Sequence, residues 1–515
     1  MKRALLALLF TGLLSQGLLA ANMAENGHAY NIRNFGATGN GTTIDSKAIN
    51  DAIEAASNAG GGTVFFPAGT YASYSIRLKS NIALYLDQGA TLLAAAPIDS
   101  IGYDAPDPGA GNAYQDFGHS HWHNSLIWGE NLENISILGP GTIYGKGLTR
   151  EGPHRAPIGN KAIALKLCRN VILKDFTMLY GGHFCILATG VDNLTIDNLK
   201  IDTNRDGMDI DCCRNVRISN CTVNSPFDDA ICLKSSYALG YARATENVTI
   251  ANCQVTGYDR GTFINGTYLR NEGHLVPDRE GPTGRIKFGT ESNGGFKKIT
   301  ISNCVFEHCR GLALETVDGG ILEDITVGNL VMRDLINSPF FLRLGARMRG
   351  PEGTAPGALR RVQIHDVVVY NADSRFSSII SGIPGVPIED ITLSNISIWY
   401  KPLDREKNPV PEVVPEHEKT YPEPQKFGVI TSYGFFIRHV NNIRMNNISV
   451  KVLGSEQRPA MQLIHVNGAE MRNVALQKPD GAPRLVLESV KDLLIKDCHL
   501  LEDITLSEIA DKRIE

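Results

Sequence analysis

A unit repeated along residues 192–450 restricts the fold more than any other feature of the sequence. Each copy is an alternating strand rich in β-branched residues, then Asn or once Asp, then a second short strand. The copies are NLTIDNLKI, NVRISNCTV, NVTIANCQV, KKITISNCVF, LEDITVGNLVM, LRRVQIHDVVV, IEDITLSNISI and VNNIRMNNISV. Their Asn and Asp positions are Asn198, Asn220, Asn252, Asn303, Asn329, Asp366, Asn395 and Asn447. Such a repeat is typical of a solenoid whose coils bury their inward side chains only by stacking.

The intervals between these positions favour a coil of short strands over other all-β folds. The shortest interval separates Asn198 from Asn220, and the longer ones are irregular, as loop insertions would make them. Stacked strands lie about 4.8 Å apart, so an Asn at every turn can form a ladder of amides that satisfies the bent backbone. The alternative is a sandwich or barrel of many short strands. Recurrence of the unit favours an all-β, single-domain parallel β-helix.

The segment SKAINDAIEAASNAGGGTVFFPAGTY predicts a helix followed by a strand near the start of the solenoid. Its apolar residues have helical spacing, and the glycines end the helix. These apolar residues are Ala48, Ile49, Ala52, Ile53 and Ala56. We expect this helix to cap the open first coil, which would otherwise expose strand edges. The next segments, NIALYLDQGATLLAA and NLENISILGPGTIYG, are expected to form the first coils.

Residues 1–20, MKRALLALLFTGLLSQGLLA, are typical of a cleaved secretory signal peptide. Lys2 and Arg3 precede an apolar run, and cleavage is expected near Ala20 or Ala21. The prediction is an exported protein, periplasmic or extracellular, with no membrane span, in which residues 28–512 form the β-helix domain. Large loops are expected at about residues 258–284, 345–358 and 401–428.

Charge and cysteine placement exclude several classes of protein. A net charge of -5 argues against nonspecific nucleic-acid binding, which needs a strongly basic face. Of the 10 Cys, three occupy one position of the repeat, Cys221, Cys253 and Cys304, so we expect buried thiols rather than a disulfide framework. The sequence has no CxxC pair, so a structural zinc site has no support. We expect a monomer without a metal or cofactor.

Two adjacent acids, Asp228 and Asp229, precede the apolar run AICL, where a charge is costly to bury unless it is paired. A second acidic cluster, DTNRDGMDIDCC, lies one short coil earlier. The interval from Asp206 to Asp228 equals the interval from Asn198 to Asn220, which is the shortest period of the repeat. We therefore predict that Asp206, Asp228 and Asp229 converge from adjacent coils, at a corner between loop and strand.

A cluster of carboxyl groups can hydrolyse glycosidic bonds. One carboxylic acid protonates the leaving oxygen, and a carboxylate activates water or attacks the sugar. Crowding of like charges raises the pKa of at least one group, which then holds a proton. The alternatives are a solvated acidic corner, acids that cap turns, and a calcium site, although DGMDID lacks the ligand pattern of an EF-hand loop.

With these coils and acids, the chain resembles glycoside hydrolase family 28, the polygalacturonase family of right-handed β-helices, over nearly all of its mature length. Asn204-Arg205-Asp206 is similar to the Asn-Thr-Asp signature of that family, with Asp209 as a further acid. The segment FDDAICLKS is similar to its Asp-Asp signature, with Lys234 following. The resemblance implies a glycoside hydrolase that acts on pectic polysaccharides or oligosaccharides and inverts the anomeric configuration.

The same resemblance implies a role for each acid. Asp228 would be the general acid, while Asp206 and Asp229 would hold and activate the water. Inversion requires acid and base about 6.5–9.5 Å apart, which is more than one coil rise, so we expect Asp206 and Asp228 to splay.

Two positions depart from the family pattern. Thr283 stands where the family has His, and Ala313-Leu314-Glu315 stands where its Arg-Ile-Lys signature binds the substrate carboxylate. The reversed charge at Glu315 disfavours a uronate in that subsite. The rhamnogalacturonan-cleaving branch of the family similarly lacks the His. We therefore expect a rhamnogalacturonan-type or branched pectin in preference to plain homogalacturonan.

Further polar residues are candidates for sugar contacts. Arg285 and Lys287 would supply cations from a neighbouring row, or else be solvated strand charges. His274 would replace the missing family His, and Glu291 would reach sugar hydroxyls at the cleft edge. The substrate-binding candidates are Asn204, Asp209, Lys234, His183, His274, Arg285, Lys287, Glu291 and Arg343. Weaker candidates in the loops are Arg260, Tyr268, Arg270, Arg279, Arg347 and Arg349.

Two other functions stay open from the sequence. A polysaccharide lyase on uronate glycans would use a cationic base and usually calcium, which the carboxylate trio and the lost Arg-Ile-Lys disfavour. A non-catalytic glycan-binding β-helix would explain the missing His and the missing cationic pair. Release of unsaturated product would favour the lyase, and absence of any turnover would favour the binding protein.

Overall fold

The computed structural model describes residues 29–108, 112–115, 119–150, 155–271, 281–499, 501 and 504–514. Within these ranges the regular structure is almost entirely β, in strands that pair in parallel from coil to coil. Three ladders of strands run along the molecule, one on each side of the coil. The all-β parallel β-helix predicted from the repeat is therefore confirmed, and the predicted signal peptide lies outside the described residues.

The first ladder has one strand in each coil and ends in an antiparallel pair. Its strands are β1 (Ala29–Asn31), β3 (Gly62–Phe66), β6 (Ile82–Leu86), β9 (Glu133–Leu138), β12 (Arg169–Lys174), β15 (Asp192–Asp197), β18 (Arg214–Ser219), β21 (Thr245–Ala251), β24 (Phe296–Glu307), β26 (Ile321–Arg333), β28 (Ala358–Ala372), β30 (Ile388–Tyr400), β31 (Phe435–Val452), β32 (Met461–Leu476), β33 (Leu485–Lys496) and β34 (Ile504–Ile514).

The second ladder has separate short strands in the earlier coils and merges with the first ladder from β24 onward, where one bent strand serves both sides. Its separate strands are β2 (Asn40–Ile44), β4 (Gly69–Ser73), β7 (Ala90–Ala94), β10 (Thr142–Tyr144), β13 (Thr177–Leu179), β16 (Lys200–Asp202), β19 (Thr222–Asn224) and β22 (Gln254–Thr256).

The third ladder carries the predicted acids and ends by pairing with the start of β31. Its strands are β5 (Ile76–Arg77), β8 (Ser125–Glu130), β11 (Lys161–Lys166), β14 (Phe184–Thr189), β17 (Asp206–Asp211), β20 (Ile231–Ser235), β23 (Ile286–Ser292), β25 (Leu312–Thr316), β27 (Phe340–Leu344) and β29 (Ser378–Ser381). The three connections predicted to be large loops leave this ladder or lead to it, between β22 and β23, β27 and β28, and β30 and β31.

The N-terminal helix has the position and the buried face that the sequence predicts. Helix α1 spans Ser46–Asn58, and its buried residues are Ala48, Ile49, Ala52, Ile53 and Ala56. It packs against β1, β3 and β5, so it covers the apolar end of the first coil. Three short 3-10 helices complete the helical structure of the described chain, at Ile32–Phe35, Asn112–Tyr114 and Pro424–Phe427.

The corner asparagines form the predicted ladder. Asn303 has a positive φ of 56°, a conformation that Asn tolerates better than most residues. Its Nδ2 donates to Asn252 Oδ1 at 3.1 Å, and its Oδ1 accepts from Asn329 Nδ2 at 3.1 Å. A second amide ladder, which the repeat did not reveal, runs along the start of the first-ladder strands. Its members are Asn81, Asn134, Asn170, Asn193, Asn215 and Asn247.

The coil interior is one continuous apolar core that includes eight of the ten cysteines. All ten Cys are buried and free of disulfides, as predicted. Burial is favourable for a thiol and raises its pKa, as at Cys185, whose pKa rises to about 12. No helix among the described residues has the length and hydropathy needed to cross a membrane.

Candidate active site

The two acidic clusters lie on neighbouring strands of the third ladder, with a register one residue away from the prediction. Met208 of β17 is opposite Ile231 of β20, an interval one residue longer than that between Asp206 and Asp228. The backbone N–H of Gly207 accordingly donates to the carbonyl of Asp229 at 3.0 Å. The expectation that Asp206 and Asp228 share one angular position is therefore wrong. The turn before β20 contains one more residue than the corner spacing indicates, and Asp229 is the register neighbour of Asp206.

The three carboxyl groups nevertheless come together, as the sequence predicts. One oxygen each of Asp206, Asp228 and Asp229 lies within 4.8 Å of the other two. Their exposed fractions are 4%, 4% and 3%. The expected splay of Asp206 from Asp228 to about 6.5–9.5 Å is wrong for these nearest oxygens, because the strands stack at the spacing of a single coil. We refer to the three residues as the carboxylate trio.

The surroundings of the carboxylate trio raise the pKa of one of its members. Burial, and then the negative charges of Asp228 and Asp209, raise the pKa of Asp206 well above its usual range. Asp228 Oδ2 lies 3.0 Å from the guanidinium Nε of Arg205. The crowding therefore lets the carboxylate trio retain a proton, which belongs to the coupled acids together and not to one of them.

A buried polar network supports the carboxylate trio from behind. Lys234 Nζ donates to Glu291 Oε2 at 3.1 Å and lies 3.9 Å from Asp209 Oδ2. His119 Nε2 lies 3.1 Å from the same Asp209 oxygen. Although burial opposes it, the charge of Asp209 helps to hold the pKa of Lys234 well above its usual range. Glu291, expected at the cleft edge, is instead buried within this network.

On the other side, the carboxylate trio contacts a group of three buried cations, Arg285, Lys287 and Arg310, which we call the cation pocket. Arg285 Nε donates to Asp229 Oδ1 at 2.8 Å, and Lys287 Nζ lies 3.5 Å from Asp229 Oδ2. All three cations are at most 2% exposed, so the alternative of solvated strand charges at Arg285 and Lys287 is wrong. Glu423, from a loop distant in the sequence, places its carboxylate among these three cations.

Glu315 closes the cation pocket from the following coil. It is fully buried, and neither of its oxygens has a hydrogen-bond partner among the described residues. Its nearest cation is Lys287, with Nζ 3.7 Å from Oε2. Burial raises its pKa from 4.5 to about 7, against the opposing effect of Lys287. The carboxyl group of Glu315 is thus expected to exchange a proton near neutral pH.

This pKa predicts a pH-dependent loss of stability. Between pH 4.5 and about 7 the folded protein keeps a proton on Glu315 that the unfolded chain releases. Ionisation of Glu315 therefore lowers the stability of the folded protein, and this loss is absent below pH 4.5, grows as the pH rises to about 7 and is then complete. Its full size is about 3 kcal/mol. The variant Glu315→Gln should therefore gain stability over the wild type at pH 7.5 and lose that advantage at pH 4.5. Urea midpoints at the two pH values measure the effect, and equal differences at both would contradict it.

Other predicted residues have structural partners. Thr283 is fully buried, and its backbone N–H donates to the carbonyl of Pro226 at 2.9 Å, so it fixes the turn that holds the acids. Arg343 donates to the carbonyls of Gly382 and Glu416 at 2.9 and 2.8 Å, which anchors the loop between β30 and β31. Its guanidinium binds main-chain carbonyls in this structure, whereas the sequence suggested that it contacts sugar.

His183 and Asn204 lie on the coils of the acids. His183 Nδ1 is 2.6 Å from the carbonyl of Arg150, and burial, then Arg205, lowers its pKa well below the usual value. Asn204 is half-buried in the turn just before β17. Two other predicted residues, His274 and Arg279, lie outside the described residues.

A group of arginines surrounds Phe227, which immediately precedes the carboxylate trio. The guanidinium carbons of Arg150 and Arg260 lie 5.0 and 4.9 Å from the ring centroid of Phe227. By contrast, Arg270 pairs with Glu307 and Asp334 on the surface. Arg260 is thus the loop candidate that the structure brings to Phe227, the residue before Asp228 in the chain.

Several residues of the site were not predicted from the sequence, among them Arg310 of the cation pocket. His119 lies in the segment HSHWHN, whose cluster of histidines was a usable signal. Tyr421 and Glu423 lie in the proline-rich segment TYPEPQKFG, where nothing in the sequence points to a site 138 residues earlier in the chain. Tyr421 Oη accepts from Lys287 Nζ at 3.2 Å, so this segment is part of the site.

Two groups of side chains have the spacing needed to hold a metal ion among the residues that the structure describes. One is the carboxylate trio, and the other consists of Asp107, His123 and Glu130. In the second group, Asp107 Oδ2 accepts from the backbone N–H of Trp122 at 2.7 Å, and Glu130 pairs with Lys166 at 2.8 Å. These partners give that group a structural role in the described chain.

Comparison with protein families supports the resemblance drawn from the sequence. Residues 29–126 match the model described as rhamnogalacturonase A/epimerase, pectate lyase-like. Residues 110–258 match the model of glycosyl hydrolases family 28, and this range contains the whole carboxylate trio. The predicted resemblance to family 28 is confirmed.

Two individual proteins and a solved structure are also similar to this chain. A probable polygalacturonase from Vitis vinifera is 25% identical over 393 residues, covering 72% of this chain and 74% of the relative. The plasmin and fibronectin-binding protein A of Streptococcus pneumoniae is 35% identical over 187 residues, but these span 33% of this chain and 24% of that protein. The solved family 28 exopolygalacturonase of Yersinia enterocolitica has a TM-score of 0.63 at 18% identity, over 87% of this chain and 78% of its own, and has the same fold.

Proposed function

Since this chain is a polygalacturonase-like glycoside hydrolase related to family 28, we propose that it cleaves glycosidic bonds of a rhamnogalacturonan-type or branched pectin. The carboxylate trio is the observation that carries this proposal. Its three acids are almost fully buried and close together, and the pKa of Asp206 is raised, as acid–base hydrolysis of a glycoside requires.

In the proposed reaction Asp228 donates its proton to the glycosidic oxygen as the bond to the anomeric carbon breaks. A water held by Asp206 and Asp229 attacks that carbon from the opposite face and gives its proton to one of these carboxylates. The family resemblance implies that this reaction inverts the anomeric configuration. The short oxygen spacing within the carboxylate trio does not by itself support inversion, so the stereochemistry needs its own measurement.

The charge pattern around the acids supports a pectic substrate with more than one kind of sugar. Arg150 and Arg260 place guanidinium groups at Phe227, which precedes Asp228 in the chain, and such groups suit the carboxylates of uronic acids. On the opposite side, Glu315 and Glu423 bring negative charge to the cation pocket. The name of the family model that matches residues 29–126 includes rhamnogalacturonase. Export through the N-terminal signal pattern would bring the enzyme to such a polymer.

One experiment tests both the substrate and the mechanism. Purified protein is incubated with homogalacturonan and rhamnogalacturonan oligosaccharides, and the anomeric configuration of the first product is followed by proton NMR. We expect new reducing ends, faster release from rhamnogalacturonan, and inverted product. A retained configuration overturns the inverting mechanism. Formation of a product that absorbs in the ultraviolet, abolished when a chelator is added, would instead show a lyase.

A non-catalytic binding protein is the second candidate, because the matched relative from Streptococcus pneumoniae is named for binding plasmin and fibronectin. Against it, a binding surface does not need three mutually repelling acids at 4% exposure or less. Absence of any released reducing end, together with measurable binding of the same oligosaccharides, would favour this candidate.

A further inference from the structure

Glu423 fills the cation pocket with a carboxylate that belongs to the protein itself. Its Oε1 accepts from Arg285 Nη2 at 2.5 Å, and its Oε2 accepts from Arg310 Nη1 at 2.9 Å. Lys287 Nζ lies 3.9 Å from Oε1. The carboxylate is thus held by both guanidinium groups and lies near the ammonium group, in the arrangement that recognises a carboxylate ligand.

The pocket is directly beside the reacting groups. Arg285 bridges the two carboxylates, because its Nε donates to Asp229 and its Nη2 donates to Glu423. Glu423 comes from the long connection between β30 and β31, at the start of the 3-10 helix Pro424–Phe427. It lies two residues after Tyr421, whose ring is half-buried. Lys287 Nζ lies 5.2 Å from the centroid of that ring. The loop therefore forms one wall of the site.

We propose that Glu423 determines specificity, so that the sugar unit bound between Asp229 and this loop wall is neutral and has no carboxylate. This inference rests on the proposed function and names the class of sugar at one subsite: a neutral or deoxy sugar of a branched pectin, or a uronate whose carboxyl is esterified. Glu423 occupies the position that a uronate carboxylate would take.

Charge balance is the physical reason. The cations Arg285, Lys287 and Arg310 are buried together with Asp229, Glu315 and Glu423, and buried charges of one sign need partners of the other. A further carboxylate at this wall would lie beside these three acids and find all three guanidinium nitrogens of Arg285 already engaged by Asp229 and Glu423. A neutral sugar avoids this repulsion. The ring of Tyr421 offers an apolar surface of the kind that sugar-binding pockets use.

The test compares Glu423→Gln with the wild type and with Glu412→Gln, a change of the same chemistry at an exposed position of the same loop. Two oligosaccharides are used that differ only in one unit, galacturonate or its carboxyl-reduced, neutral counterpart. Binding is measured by calorimetry and turnover by release of reducing ends. We expect the wild type and Glu412→Gln to prefer the neutral ligand, and Glu423→Gln to shift the affinity ratio toward galacturonate by about tenfold or more.

An unchanged ratio in a folded Glu423→Gln protein overturns the inference. Because this variant leaves buried positive charge, its unfolding midpoint is measured first, and Glu423→Gln/Arg310→Gln provides a charge-balanced second variant. The double variant should also shift the ratio toward galacturonate, because the Nη donors of Arg285 still lack the carboxylate of Glu423. The binding measurement separates the two proposals: wild-type protein without turnover contradicts the proposed function, whereas the affinity ratio alone decides the role of Glu423.

Discussion

Replacing Asp228 with Asn is expected to lower the turnover of a pectic oligosaccharide about a thousandfold, because an amide cannot donate the proton that the leaving oxygen needs. The fold should be unaffected, since Asn keeps the shape of the side chain and removes one of three mutually repelling acids. Reducing-end release under saturating substrate measures the effect. Asp390→Asn is the matched control: Asp390 has a corner conformation, with φ of 54°, that Asn adopts at other corners of this β-helix.

The same variant distinguishes the roles within the carboxylate trio. A substrate with a good leaving group, such as a nitrophenyl glycoside, needs no protonation, so it should recover much of the activity of Asp228→Asn. Asp206→Asn should stay inactive on that substrate, because it has lost a group that holds the attacking water. Recovery of Asp206→Asn alone would exchange the two roles, in agreement with the raised pKa of Asp206 in this structure.

Replacing Arg285 with Met is expected to lower the free energy of unfolding by about 3–5 kcal/mol, the cost of leaving a buried charge without its partner. Met fills a similar volume but leaves the carboxylates of Asp229 and Glu423 without the donor that joins them. The urea midpoint measures the loss. Arg214→Met is the control, because Arg214 pairs with Glu246 at 3.0 Å on the surface and exposed pairs contribute at most about 1 kcal/mol.

A double variant identifies the cause of this loss. In Arg285→Met/Glu423→Gln the loop carboxylate is removed together with its main partner, so much of the lost stability should return. If the double variant is less stable than Arg285→Met, then Arg285 stabilises the protein through packing, and the buried charge cluster is not the reason. Arg285→Met alone with an unchanged midpoint would contradict the prediction outright.

Features that repeat along the chain were predictable. The corner ladder through Asn252, Asn303 and Asn329 follows from the recurring unit, because one residue type at one position of every coil leaves a periodic trace. The apolar face of α1 follows from helical spacing in the same way. The meeting of Asp206 with the two adjacent acids was predicted from a single interval, although the strand register is longer than that interval by one residue.

Features made by insertions were not predictable. The repeat constrains the coil, but it does not constrain the path of a loop that leaves it. The carboxylate of Glu423 reaches Arg285 across 138 residues, and Arg343, expected to bind sugar, holds the main chain of the same loop instead. Each contact depends on how a proline-rich connection folds back over the third ladder.

The sequence by itself determined the β-helix, its capping helix and the three acids of the carboxylate trio, because stacking coils turn periodic spacing into contact. Only the tertiary structure decided which charges surround those acids. Burial raises the pKa of Asp206, since desolvation depends on everything packed around this residue. The loop that carries Glu423 neutralises the cation pocket, since a buried charge takes the nearest partner in space and not in sequence.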